Sequence, residues 1–130
     1  MHKITALAAI AGLSAMLAAP AMSQDAALDP SGSFADEWGT TFTFSLCGSG
    51  TDLCGTLDVL QGDAATEENL AYVGKQVMQA QQTAPNTWKG ALDAGGLSAE
   101  ATVTQTGPDT IDIEGCQAEL LCQTLTYQRK

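Results

Sequence analysis

The chain has 130 residues, with fifteen acidic against five basic, one histidine and four cysteines, and a formal net charge of −10 at neutral pH. So acidic a protein repels nucleic acid and anionic membrane surfaces. The length allows one domain with one modest core.

In chain order, the first signal is an export leader. "MHK" is a short positive start, "ITALAAIAGLSAMLAA" is an apolar run, and "PAMSQ" places the small residues Ala21 and Ser23 before Gln24. These are the three regions of a secretory signal peptide, so residues 1–23 are expected to be cleaved rather than kept as a membrane anchor. No cysteine lies in or just after the run, so a lipid-attachment signal is missing. Cleavage removes His2 and Lys3, leaving Lys75, Lys89, Arg129 and Lys130 against all fifteen acids. Residues 24–31 are expected to form a flexible tail and residues 32–130 one folded domain. The expected location is the periplasm or the medium.

The rest of the chain alternates with period two between turn signals. "GSFADEW" predicts a short first strand. "GTTFTFSLC" puts Phe42, Phe44 and Leu46 on one face and Thr41, Thr43 and Ser45 on the other. After a Gly-rich turn, "CGTLDVLQ" puts Leu57 and Val59 opposite Thr56 and Asp58, which predicts a hairpin. "TEENLAYVGKQVMQAQQ" admits two readings. Thr66 caps a helix carrying Leu70, Val73 and Val77, or a single helical turn over Thr66–Leu70 leads into a strand from about Val73 to Ala80; Gly74 weakens the long helix.

Next, "TWKGAL" sets Trp88, Gly90 and Leu92 on one side, and "DAGG" turns the chain. "LSAEATVT" alternates Leu97, Ala99, Ala101 and Val103 with polar residues. "TIDIEG" buries Ile111 and Ile113, and "LCQTLTYQ" alternates Leu121, Leu125 and Tyr127 with Cys122, Thr124 and Thr126. About eight short antiparallel strands with at most one short helix predict an all-β domain, a closed up-and-down barrel or a sandwich. A barrel of this size either fills itself with side chains or holds one small ligand, and the short chain favours a filled one.

Four cysteines in an exported chain of this size predict two disulfides. Cys47 and Cys54 flank six residues and Cys116 and Cys122 flank five. Local pairing is favoured because each pair brackets a turn between strand-like segments, and each such bond is worth about 2–2.5 kcal/mol by loop entropy. Crossed pairing closes longer loops, and a four-cysteine zinc site is the remaining alternative; zinc is disfavoured because its usual inner spacing is two to four residues.

Four segments carry a family resemblance: "GSFADEW", "LCGSGTDLCGTLDVLQG", "NTWKGAL" and "IEGCQAELLCQTLTYQR". They resemble the domain-of-unknown-function family numbered 2147, whose members are small exported bacterial proteins. The matching elements fall on Gly32 and Phe34, on Cys47 to Gly55, on Trp88 and Gly90, and on Gly115 to Arg129. The chain departs from the pattern in Tyr127, where a tryptophan is usual, and in its polar "AATEENLAY" connection. The resemblance implies a lipocalin-like β-barrel and no established activity.

Chemistry-bearing side chains are sparse. Without His2 the mature chain has no Ser–His–Asp triad, Cys–His pair or histidine metal ligand. Asp36–Glu37 and Glu67–Glu68 are adjacent pairs, and strand neighbours point to opposite faces. Asp112 and Glu114 share a face that alternates with Ile111 and Ile113, which puts them outside. No catalytic residue, metal or cofactor is therefore expected. The favoured expectation is a small apolar or amphipathic ligand at the barrel mouth. Trp38, Tyr72 and Trp88 are its candidate lining residues, and core packing is the competing reading of Trp88. The alternative is an acidic interaction module or inhibitor docking on a cationic protein.

Overall fold

The computed structural model describes residues 28–117 and 121–130, so the expected leader and residues 24–27 of the expected tail lie outside the described residues. Eight antiparallel strands close into a barrel in sequence order. They are β1 (Gly32–Ala35), β2 (Thr41–Cys47), β3 (Asp52–Val59), β4 (Gln76–Ala84), β5 (Thr87–Leu92), β6 (Ala99–Gly107), β7 (Thr110–Gln117) and β8 (Leu121–Arg129). Each pairs with its neighbours, and β8 returns to β1. Closure removes the exposed edges that so small a sheet must otherwise protect.

The predicted alternation sets the inner face. Phe34, Phe44, Leu53, Leu57, Met78, Val103 and Ile111 are essentially inaccessible to water, with Trp88, Ala101 and Ile113 beside them. Phe44 packs against Phe34 and Phe42, each at 5.8 Å between ring centres, and Phe42 meets Tyr127 edge-on at 5.5 Å. Gly55 faces inward where an added Cβ would meet the Phe44 ring at 3.1 Å. The register of β3 on β4 shifts between Gly55 and Thr56, and Val77 and Met78 are both buried next to this bulge.

The connection after β3 resolves the ambiguous segment in favour of one helical turn followed by a strand. Helix α1 covers only Glu67–Leu70, with Thr66 Oγ1 accepting the Asn69 N–H at 3.2 Å. Gly74 then adopts φ +90°, and the strand starts at Gln76.

Three expectations need correction. Residues 28–31 are not a loose tail: Pro30 is buried, the Leu28 N–H donates to Asn86 Oδ1 at 2.8 Å, and Gln105 Nε2 donates to the Asp29 carbonyl at 2.9 Å. Leu46 and Leu121 lie on inward-phased positions yet are 46% and 68% exposed. The cause is the shortness of β1, which pairs with β2 only as far as Phe44 and with β8 only at Gln128 and Arg129. Beyond those points β2 and β8 have no neighbour on that side to cover an apolar side chain. Finally, the barrel is filled in only one half.

The filled end is closed by Arg129. Its guanidinium lies 4.5 Å over the Phe34 ring and donates to the carbonyls of Ser31, Asp29 and Pro108 at 2.6, 2.9 and 2.8 Å, and to Asp109 Oδ1 at 3.1 Å. One side chain thus ties the entry to β1, the β6–β7 turn and the end of β8 together.

Candidate functional site

At the opposite end the barrel opens into a cup of about 750 Å³. Its walls come from inward positions near that end: Phe42, Leu57, Val77, Ile113, Leu125 and Tyr127. Small residues leave the space. Ala94, Ala99 and Gly115 stand where larger side chains would meet in the middle, and Gly115 approaches only the Ala99 methyl. The Phe42–Tyr127 pair and Phe44 beneath it separate the cup from the packed half.

The rim is built from connections held by named hydrogen bonds. In the β1–β2 loop, Asp36 Oδ1 accepts the N–H groups of Trp38 and Thr40, each at 2.9 Å, while Gly39 takes φ +97°. Thr40 Oγ1 accepts the Gln61 N–H at 3.1 Å, which joins this loop to the β3–β4 connection. Asn69 joins that connection to the β5–β6 loop. It is buried, donates from Nδ2 to the Ala64 carbonyl at 2.9 Å, and accepts the Gly96 N–H at 3.0 Å. Across the mouth the Cys116–Cys122 disulfide bridges directly opposed residues of β7 and β8, whose Cα atoms are 4.0 Å apart.

Both disulfides follow the local pairing, and none of the four sulfurs is free. Cys47–Cys54 braces the β2–β3 turn at the filled end, with Cα atoms 6.0 Å apart. Glu114 lies within 4.8 Å of the Cys116 and Cys122 sulfurs, but these are bonded to each other and offer no thiolate ligand.

The expected lining residues separate. Trp38 stands on the rim, 61% exposed, with Gly62 against its Cβ. Tyr72 is not part of the wall: it is half-buried in the β3–β4 connection, with the Lys75 ammonium 5.5 Å from its ring centre. Trp88 is a correction of position. It is 2% exposed in the filled half, and its Nε1 donates to the Thr51 carbonyl at 2.8 Å. Core packing is its role.

Several rim residues carried no expectation of a site. Thr40, Gln61 and Asn69 are polar residues in turns, and Asp36 was discounted as half of an adjacent pair. The signal for Asp36 was present in "ADEWGT", where an Asp precedes a Gly by three residues, the pattern of a side-chain-capped turn.

Charge in the cup has one sign. Asp36 and Asp63 are the charged residues among the described lining, and no lysine or arginine reaches it. Burial, and then the Asp36 carboxylate, pushes the Tyr127 phenol above the ordinary tyrosine range, so its hydroxyl stays protonated. No family model, curated protein or solved structure matches this chain.

Proposed function

We propose that the protein is an exported, non-catalytic binding protein whose cup takes up one small apolar or amphipathic molecule. The carrying observation is the cavity of about 750 Å³ with mainly apolar walls. It falls within the roughly 300–1,000 Å³ of ordinary small-molecule sites. Export is supported by the leader pattern at residues 1–23 and by two disulfides, bonds that persist outside reducing compartments. No helix among the described residues is long and apolar enough to cross a membrane. The non-catalytic reading rests on the wall chemistry, which offers hydroxyls, amides and two carboxylates but neither imidazole nor thiol. A lipocalin-like relationship to family 2147 belongs to the same proposal, on the four segments quoted above.

Titration with the neutral dye N-phenylnaphthylamine tests this reading. The expected result is saturable one-to-one binding that is lost in Ala99→Phe, which fills the cup from β6. Absence of saturable binding, or unchanged binding by a folded Ala99→Phe variant, would overturn it.

A second reading is favoured by charge alone: an acidic module docking on a cationic protein. Fifteen acids stand against five bases, and Glu100 and Glu114 are exposed on the barrel's outside. Such binding weakens steeply with salt, whereas uptake of a neutral molecule barely changes.

A further inference from the structure

We infer that the cup selects an organic ammonium, an amine head on an apolar body, and discriminates against fatty acids and other apolar carboxylates. This rests on the ligand-binding reading above and adds the head-group chemistry.

Three observations at the mouth converge. The first is the sign of its charge. Asp36 and Asp63 line the cup and no basic residue does, and the one ion pair among the described residues, Arg129–Asp109, lies at the other end of the barrel. Of the four basic residues beyond the leader, Lys75 sits over Tyr72 in the β3–β4 connection, Lys89 is exposed on β5, Arg129 caps the filled end, and Lys130 faces the outer groove between β1 and β8 that Asp36 also borders; none of them lines the cup. A carboxylate bound inside the cup would find no counter-charge in its lining.

The second is free acceptor capacity. The two turn N–H groups use only Oδ1 of Asp36, so Oδ2 has no protein partner among the described residues. Tyr127 is 5% exposed and lines the cup, and its hydroxyl has no hydrogen-bond partner among the described residues. That hydroxyl opens onto the cup rather than being sealed inside the protein, so it is free to meet a ligand and can accept from an ammonium. The third is Trp38, an exposed indole two residues from Asp36. Indole is the best aromatic face for an ammonium. An ammonium placed between the Asp36 carboxylate and the Trp38 ring leaves its apolar body against Phe42, Leu57, Val77 and Ile113.

Three dodecyl compounds with one chain and different heads test the inference, measured by displacement of N-phenylnaphthylamine below their micelle concentrations. Dodecylammonium is expected to bind at least about tenfold more tightly than dodecanoate, with dodecanol between them. Asp36→Asn keeps the Oδ1 acceptor of the turn, and combined with Asp63→Asn it is expected to bring the affinity for the ammonium down to that for the alcohol. Glu100→Gln with Glu114→Gln removes the same charge from the outer face and should preserve the preference. If dodecanoate binds as well as dodecylammonium, the head-group inference fails and the ligand-binding reading stands. It fails equally if the outer-face pair abolishes the preference as fully as the rim pair does. If neither dodecanol nor the dye binds, both fail together.

Discussion

Gly90 shows how closely two strands approach in the filled half. A Cβ placed there would meet the Gln79 carbonyl oxygen, with the Ala80 Cα at 2.6 Å. These are backbone atoms and cannot swing aside. Gly90→Ala is expected to lower stability by about 3 kcal/mol or to prevent folding, read as the urea midpoint. Tyr127 gives a prediction in pH. Its phenol is raised in the folded barrel by burial and by Asp36, so the folded state holds the proton more tightly than the unfolded chain. The associated stability is complete below the unfolded value of about 10 and is lost as pH rises above it. Denaturation midpoints followed through that alkaline range should fall more steeply for the native protein than for Tyr127→Phe; parallel curves would contradict the assignment.

At the scale of elements, two clasps hold the ends of the barrel. Asn69 joins the loops on one side of the mouth, and its removal leaves the Gly96 N–H and the Ala64 carbonyl without their partner. Asn69→Ala is expected to cost about 1–3 kcal/mol. Its hydrogen-exchange signature should be local, with faster exchange at Gly96 and in the β3–β4 connection. Arg129→Lys keeps the charge at the filled end but loses the fork that reaches three carbonyls and Asp109. A loss of about 1–2 kcal/mol is expected by chemical denaturation. The strands themselves were legible because alternation puts apolar residues on one face whatever the partner strand is. The fate of Leu46 and Leu121 was not, because exposure at an inward phase depends on where a neighbouring strand stops. For Leu121 that limit is the end of β1 at the Asp36 turn, and for Leu46 it is the start of β1 at Gly32.

For the whole molecule, the two disulfides brace opposite ends, Cys47–Cys54 at the filled end and Cys116–Cys122 at the mouth. Serine replacement of either pair should remove about 2–2.5 kcal/mol. Only loss of the second pair should also weaken dye binding, since Cys122 lines the cup. The sulfur pairing was readable from spacing because each pair is close in sequence and joins adjacent strands. The cup was not readable. Period-two patterns report which face a residue occupies and carry no information about its height along the barrel axis. Trp38 and Trp88 were both candidates for the mouth on that basis, with core packing weighed for Trp88, and one stands on the rim while the other lies in the packed half. Likewise Ala94, Ala99 and Gly115 reveal a void only when closure brings them around one axis.

The most direct measurement is methyl NMR of the labelled protein titrated with dodecanol. The half-hollow barrel predicts saturable shifts for the methyls of Leu57, Val77, Ile113 and Leu125, with Leu53, Val103 and Ile111 unmoved. Shifts at the second group, or none at the first, would contradict it.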